Sequence, residues 1–303
     1  MKVGVYLASA NHPRFRNMLE KFARGVSKQG DDCSIILESD DHIEEYDVAV
    51  IFGSWKDRPD RHHIIKNYVV KNAKQFIVCE TPILGRKEVK NVGDDDWYRI
   101  GLNGFLADTG NFNNKRKPGD RWKLIQKEFD LEIAPWKQGE NILLVLQVPG
   151  DASLNGIDIN QWAYDTGTEI RKYTDRKIIL RAPQVHKVFN IEILQRLLDE
   201  NKNIDFQKGE KDNLIPTIKS CFCTVAYSSG LSVESALLGV PAFALNQSNF
   251  AYKLGNNFIK NIQNPKLANR SQWLNNLSYA QWSLEEITEG LPWKHLREVL
   301  LKQ

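Results

Sequence analysis

The sequence lacks the features that mark membrane, secreted and zinc-binding proteins. No uninterrupted apolar run approaches the ~18 residues that a membrane span needs, and the apolar stretch at the N-terminus is too short for a secretory signal. Only four of the 303 residues are cysteine. They lie in apolar, strand-like segments without the spacing of a zinc site. We therefore expect a cytoplasmic protein with reduced cysteines, no membrane partner and no metal.

Other absences narrow the function. The chain has no Gly-x-x-x-x-Gly-Lys-Ser/Thr loop, which argues against a phosphotransferase, and it has no internal repeat or low-complexity tract. It also lacks an excess of one charge. A net charge of +3 neither favours nor excludes a nucleic-acid partner, because a local patch can outweigh the total. With 42% hydrophobic and 26% charged residues, the composition is that of a globular protein with length for two domains.

Residues 224–245 carry the strongest positive signal. They read as a strand, a small polar turn, a short helix and, after Gly-Val-Pro, a second strand. Small residues in the turn let backbone N–H groups approach a ligand, and the N-terminus of a helix favours an anion. Ordinary N-cap serines and a first-turn carboxylate would give the same pattern without a ligand. We interpret the segment as a cradle for the diphosphate of a nucleotide sugar. Its residues are Tyr227, Ser228, Ser229, Gly230, Ser232 and Glu234, the last placed to accept hydrogen bonds from ribose hydroxyls.

Strand and helix patterns alternate along both halves of the chain. Continuous apolar runs such as 48–52 are typical of strands buried on both faces, and the alternation predicts parallel sheets with right-handed crossovers. We predict an α/β fold of two Rossmann-like domains, 1–138 and 139–303, with the last helix a candidate to pack back on the first. Ligands bind beyond the carboxyl ends of such strands, so we expect a central cleft. Residues 84–114 break the rhythm and are predicted to form a long irregular segment with a function.

Several motifs resemble those of known proteins. Ser-Ser-Gly at 228–230, followed by Glu-Ser-Ala-Leu-Leu-Gly-Val-Pro, is similar to the donor-site segment of GT-B glycosyltransferases and of related nucleotide-sugar epimerases. Three further motifs resemble glycosyltransferase-like proteins of tailed bacteriophages. They are Tyr-Arg-Ile-Gly-Leu-Asn-Gly-Phe at 98–105, Pro-Gly-Asp-Ala-Ser at 149–153 and Tyr-x-Gln-Trp-Ser-Leu-Glu-Glu-Ile at 279–287.

The resemblance implies a GT-B architecture, with the acceptor mainly on the first domain and the donor on the second. It implies transfer of a hexose or pentose from a UDP-sugar co-substrate, with no other cofactor. Some relatives are thought to glycosylate hydroxymethylated pyrimidines in phage DNA, so double-stranded modified DNA is a candidate acceptor. Relatives often carry Arg-x-His-Pro where this chain has Arg-Ala-Pro-Gln at 181–184, which weakens any role carried over to that position.

Glycosyl transfer requires stabilisation of the departing diphosphate and deprotonation of the acceptor. For the diphosphate we expect N–H groups of the cradle and of Gly150, Asp151 and Ser153, together with the Arg181 guanidinium. Arg181 could equally be an edge residue paired with a carboxylate. His186 is a candidate contact to the base or its phosphates, although a loop histidine is more often simply solvated.

For the acceptor proton, the candidate bases are Glu80 and Asp108, with His12 a weaker one. Glu80 closes a buried strand, and Asp108 follows the Gly-Leu-Asn-Gly-Phe-Leu motif. The acidic run 94–96 is interpreted as a turn rather than a metal site.

A DNA acceptor would need a cationic surface. One candidate cluster comprises Lys56 and Arg58, and another comprises Lys115, Arg116, Lys117 and Arg121. Acidic residues interspersed among them fit ordinary solvated loops as well. Alternatives to DNA glycosylation are a nucleotide-sugar epimerase, a transferase acting on a cell-envelope polysaccharide, and a non-catalytic binding protein that kept the fold.

Overall fold

The computed structural model describes residues 1–7, 13–37, 42–54, 63–85, 96–137, 139–183, 189–210 and 213–302. The first part of the chain alternates strands with helices, as the apolar runs predict. Its elements are β1 (Lys2–Leu7), α1 (Pro13–Lys28), β2 (Asp32–Leu37), a 3₁₀ turn (Ile43–Glu45), β3 (Val48–Phe52), α2 (Ile64–Asn72), β4 (Phe76–Glu80), β5 (Trp97–Leu102) and α3 (Asp120–Glu128).

The second part repeats this alternation and then adds a helical tail. Its elements are β6 (Asn141–Val145), a 3₁₀ turn (Ala152–Leu154), α4 (Ile159–Arg171), β7 (Ile178–Arg181), α5 (Ile191–Glu200), β8 (Ile204–Gln207), α6 (Leu214–Lys219), β9 (Cys221–Ala226), α7 (Leu231–Leu237), β10 (Ala242–Ala244), two 3₁₀ turns (Tyr252–Leu254 and Ile259–Asn261), α8 (Ser271–Ser278), β11 (Gln281–Ser283), α9 (Leu284–Thr288) and α10 (Leu291–Leu300).

These strands form two sheets. Within the described ranges, the first is six-stranded in the order β11-β5-β4-β3-β1-β2, and the second is five-stranded in the order β10-β9-β6-β7-β8. The second sheet is parallel throughout. In the first, β1 to β4 are parallel, but β5 runs antiparallel to β4, and β11 runs antiparallel to β5. The parallel pairing expected from the alternation therefore stops at β4.

Strand β5 lies inside the segment that we expected to be irregular, so that expectation is wrong for 97–102. Glycine and asparagine suggested a loop, but here they allow a strand to fold back closely. A Cβ on Gly101 would lie 2.4 Å from the Gly104 carbonyl oxygen, and Asn103 takes a left-handed φ of 58°. The chain then returns to pair Leu102 with Asn111. Both residue types serve the tight reversal rather than disorder.

The C-terminal segment packs on the first sheet. Ile287, Trp293 and Leu296 are buried in the same core cluster as Phe22 of α1 and the strands β1 and β3. The helices approach closely at Gly25, where a Cβ would meet the Ile287 carbonyl oxygen at 2.2 Å. The sequence-based division between 138 and 139 stays a prediction, and residues 281–300 belong to the first sheet by their packing.

A buried carboxylate ties α10 to the start of the chain. The Asp31 side chain is 2% exposed and lies 2.6 Å from the Arg297 Nε. The Met1 ammonium donates to its Oδ1 at 2.7 Å, and the Trp293 indole N–H donates to its Oδ2 at 2.8 Å. Burial alone would raise the pKa of Asp31, but these hydrogen bonds hold it below its usual value. The charge is therefore retained at neutral pH.

Replacement of Asp31 by Asn should destabilise the protein, because it leaves the Arg297 charge without its partner. Loss of one member of a fully buried ion pair costs about 3–5 kcal/mol. The Arg297 side chain is 36% exposed, so water partly solvates its charge and the cost should be smaller. Since the folded pKa is depressed, this stabilisation is present above the unfolded value, about 3.9, and is lost as pH falls through the folded pKa. Urea unfolding at pH 7 should show the deficit, and the deficit should shrink below pH 4.

The exposed neighbour Asp32 is the matched control for this experiment. Asp32→Asn should leave the free energy of unfolding nearly unchanged at both pH values. Equal unfolding midpoints for the two variants at pH 7 would contradict the role assigned to Asp31.

Candidate functional site

A cleft of ≈ 340 Å³ lies where loops from both sheets meet. The loop after β4 contributes Glu80 and its successors, and the loops after β6 and β9 contribute the other wall. These are carboxyl ends of strands in both sheets, as expected for ligand sites in α/β folds. The lining residues are Ser54, Glu80, Thr81, Pro82, Ile83, Arg99, Phe105, Leu106, Leu146, Gln147, Val148, Asp151, Ser153, Pro183, Ser228, Ser229, Gly230 and Phe250.

A hydrogen-bond network joins the loops after β6 and β9. The Gln147 carboxamide accepts from the Ser228 backbone N–H at 2.9 Å and donates to the hydroxyls of Ser228 at 3.0 Å and Ser153 at 3.1 Å. The Ser228 Oγ also donates to the Ser153 carbonyl at 2.9 Å. The Asp151 carboxylate accepts from both the N–H and the Oγ of Ser153. Gln147 was not predicted as a site residue, yet it holds the loops after β6 and β9 together.

The turn 227–230 keeps two backbone donors available. Among the described residues, no group accepts a hydrogen bond from the N–H of Ser229 or Gly230, and both residues line the cleft. Gly230 has φ −60°, so the turn does not require a left-handed glycine there, whereas Gly150 has φ 68° and does. The following helix α7 has only seven residues, so its dipole contributes less to anion binding than that of a longer helix.

Asn249 holds this turn from behind. It is 1% exposed, and its Nδ2 donates to the Ser232 Oγ at 3.0 Å and to the Tyr227 carbonyl at 3.3 Å. Ser232 was predicted to contact the nucleotide sugar. It is fully buried and accepts the hydrogen bond from Asn249 instead. A buried amide with all groups bonded rigidifies its surroundings, so Asn249 is a positioning residue that sequence reasoning missed.

The first-sheet wall of the cleft carries charged side chains of both signs. Glu80 accepts from the Thr81 N–H at 2.8 Å through its Oε1, and it stands opposite Arg99 in the β4–β5 register. The Arg99 guanidinium lies 5.2 Å from the Phe250 ring centroid and 5.8 Å from that of Phe105. Arg99 was not predicted as a site residue, because the motif at 98–105 gave a resemblance to known proteins but no role for its arginine. It places a cation in the cleft.

Of three residues predicted to contact the nucleotide sugar, two are engaged elsewhere and one is buried. The Arg181 guanidinium donates to the Gln207 Oε1 and to the Glu210 carbonyl, each at 2.8 Å, so the expectation that it contacts the diphosphate is not met. Burial lowers its pKa, and the Glu210 charge partly opposes this. The Tyr227 hydroxyl accepts from the Asn246 Nδ2 at 2.9 Å. Glu234 is 4% exposed inside α7.

The two candidate bases lie in different cavities. Glu80 lines the cleft, whereas Asp108 lines a neighbouring groove. Desolvation raises the pKa of Tyr227, and the charge of Asp108 contributes to this rise, so Asp108 lies near the cradle without lining the cleft. His12 lies outside the described residues.

The predicted DNA-binding cluster at 115–121 is divided. Lys115 and Arg116 are exposed, and the Lys117 Nζ lies 5.2 Å from the Tyr279 ring centroid. Arg121 is 9% exposed, pairs with Glu286 at 2.6 Å and stacks on Trp282 at 3.8 Å. The prediction for Arg121 is wrong, because its charge neutralises a carboxylate inside the protein. Lys56, Arg58 and His186 lie outside the described residues.

The tail motif at 279–287 proves to be structural. Gln281 is fully buried, and its Oε1 accepts from the N–H groups of Ile83 at 2.9 Å and Leu84 at 2.8 Å. Its Nε2 donates back to the Leu84 carbonyl at 3.1 Å. The side chain thus makes the hydrogen bonds that the backbone of a neighbouring strand would make to the loop after β4. This loop lines the cleft.

The fold resembles that of two solved transferases. The β-Kdo 2,4 transferase of KpsC from Thermosulfurimonas dismutans aligns with a TM-score of 0.53 and 15% identity, over 96% of this chain and 98% of that one. The chain has the GT-B fold. The β-Kdo 2,7 transferase of the same protein aligns with a TM-score of 0.53 and 14% identity, over 97% and 100% of the two chains.

No family model matches the sequence, and no curated protein matches it either. The similarity therefore concerns the fold, and the expectation of a GT-B architecture is confirmed. Every helix in the described ranges is too short or too polar to span a bilayer. Within the same ranges, no group of three or more His, Cys, Asp or Glu side chains could hold a metal ion.

Replacement of Gln281 by Leu should destabilise the fold and loosen the wall of the cleft. It leaves two buried N–H groups and a carbonyl without partners, at a cost of roughly 1–3 kcal/mol for each group. Urea unfolding should show the lower stability. Relative to the wild type, hydrogen exchange should increase at 83–84 more than in β9. Gln195→Leu on the exposed face of α5 is the control. If the two variants unfold at the same urea concentration, Gln281 does not anchor this loop.

Proposed function

We propose that this protein transfers a sugar from a UDP-sugar to a hydroxyl group of an acceptor. The observation that carries the proposal is the shared cleft, in which Glu80 of the first sheet faces the same space as the loops after β6 and β9. One wall offers a carboxylate and the other offers N–H and hydroxyl donors. This is the distribution that glycosyl transfer requires, because the acceptor loses a proton while the leaving group gains negative charge.

The second-sheet wall would bind the diphosphate. The N–H groups of Ser229 and Gly230 supply two adjacent backbone donors, and the Gln147 network holds the loops that carry them. Preorganised donors of this kind stabilise developing charge without reorganisation during the reaction. Arg99 lines the same cleft, and it, rather than Arg181, would supply the cationic contribution.

The first-sheet wall would activate the acceptor. Glu80 takes the hydroxyl proton, the acceptor oxygen forms a bond to the anomeric carbon, and the bond from that carbon to the phosphate oxygen breaks. The electron pair of that bond leaves with UDP. The hydrogen bond from the Thr81 N–H to the Glu80 Oε1 orients the carboxylate and leaves its second oxygen to accept the proton.

The class of reaction agrees with the names of the two solved structures, both Kdo transferases. A hydroxymethylpyrimidine in phage DNA remains a candidate acceptor from the sequence resemblance. A nucleotide-sugar epimerase is the alternative in another reaction class. It would convert the UDP-sugar without an acceptor, so product analysis with the donor alone separates the two.

Glu80→Gln should lower the rate of sugar transfer by about 10²–10⁴-fold, the usual contribution of a general base. The amide keeps an oxygen to accept from Thr81 but cannot take the proton. UDP affinity, measured by calorimetry, should stay nearly unchanged, since Glu80 itself contacts the acceptor and not the diphosphate. Transfer is measured with radiolabelled UDP-sugars and a panel of hydroxyl acceptors that includes hydroxymethylated duplex DNA.

Glu132→Gln, a change at an exposed site, is the control. If wild-type protein binds no UDP at millimolar concentration, the proposed function is wrong. If UDP binds and Glu80→Gln retains full transfer, only the assignment of the base is wrong.

A further inference from the structure

A groove of ≈ 990 Å³ lies beside the cleft. It is formed by residues 107–115 of the first part of the chain and by residues 247–254 and helix α8 of the second. This volume is at the upper end of the roughly 300–1,000 Å³ typical of ligand pockets. The steps of the proposed transfer make no use of it.

The lining of the groove has an unusual composition. It contains seven side-chain amides, four aromatic rings, two lysines and a single carboxylate, Asp108. Asn249 is buried and bonded inside the protein, but the other six amides each carry a donor and an acceptor, as does each hydroxyl of a sugar. The electron-rich faces of aromatic rings attract the polarised C–H groups of a sugar ring. With so few charges, the groove matches a carbohydrate better than a polyanion, whose binding depends on many cationic contacts.

Several lining groups are held in place by the protein itself. The Asn113 Nδ2 donates to the His295 carbonyl at 2.9 Å, and the Asn276 Oδ1 accepts from the Lys117 N–H at 3.0 Å. The Trp273 indole N–H donates to the Phe250 carbonyl at 2.9 Å. Groups that are already ordered lose little conformational entropy when a ligand binds, so the groove is preorganised.

The groove adjoins the cleft at Phe250, which lines both. On the other side of this junction, Leu106 lines the cleft while Ala107 lines the groove. The Ala107 N–H donates to the Ser248 carbonyl at 3.2 Å and joins the two segments of chain that form this part of the groove. The two cavities are therefore adjacent, and a chain that occupies both would pass over Phe250.

We propose that this groove binds a saccharide chain, and that the acceptor is the hydroxyl at the end of that chain. The inference rests on the proposed transferase function and names its acceptor class. The terminal sugar lies in the cleft at Glu80, and the preceding units lie against the Phe250 and Trp273 rings with their hydroxyls on the groove amides. Asp108, exposed in this lining, accepts hydrogen bonds from hydroxyls and takes no part in proton transfer.

Calorimetry on the full chain tests the proposal with a panel of probes. The probes are a chitin hexasaccharide, maltoheptaose, a hyaluronan octasaccharide and a short hydroxymethylated DNA duplex. The test variant combines Gln247→Ala with Lys253→Ala, both exposed in the groove. The matched control combines Gln195→Ala with Lys202→Ala, both exposed on or next to α5. UDP binding is measured for every protein.

At least one saccharide should bind the wild type, and the groove variant should weaken it about tenfold, the effect of losing two hydrogen bonds. The control variant should bind that saccharide normally, and UDP affinity should be the same in all three proteins. The proposal is overturned if no saccharide binds at millimolar concentration, if binding is insensitive to the groove variant, or if the DNA duplex alone binds through the groove. Because UDP binding reports on the cleft, failure of the acceptor assignment is distinguishable from failure of the transferase function.

Discussion

The architecture depends on one buried carboxamide, that of Gln281. It supplies hydrogen bonds to three backbone groups of the loop after β4, almost two hundred residues earlier in the chain. Buried backbone groups must be paired, so this loop can hold its position only when the C-terminal segment has returned to the first sheet. The pairing of β11 with β5 and the contact of Arg121 with Glu286 fix that return. The wall that carries Glu80 is thereby completed only when the C-terminal segment has packed on the first sheet.

The opposite wall is fixed by a separate set of polar contacts. Gln147 and Asn249 connect loops that leave different strands of the second sheet, and their partners are backbone groups and serine hydroxyls. Neither residue needs to react. Both hold N–H donors at a defined place before any ligand arrives, which is the condition for electrostatic stabilisation of a leaving group. In the proposed transfer, neutral side chains thus position the groups around the cleft.

Apolar runs in the sequence predicted most strands, because a strand buried on both faces must be continuously hydrophobic. The prediction failed at β5, where glycine and asparagine serve a tight reversal. The binding roles predicted for Arg181 and Arg121 also do not fit the structure. A positive charge is visible in a sequence but its partner is not, and both guanidinium groups are satisfied inside the protein. Gln147, Asn249 and Gln281 gave no local signal, since an amide becomes informative only when its distant partners are known.

The central claim is that the loops after β6 and β9 bind a nucleoside diphosphate in the cleft. Hydrogen exchange with and without UDP tests this claim most directly. We expect slower exchange confined to 147–154 and 228–232, and loss of this protection in Gln147→Ala, which should still be folded. Protection elsewhere, such as in the groove at 107–115, or no protection at saturating UDP, would contradict it.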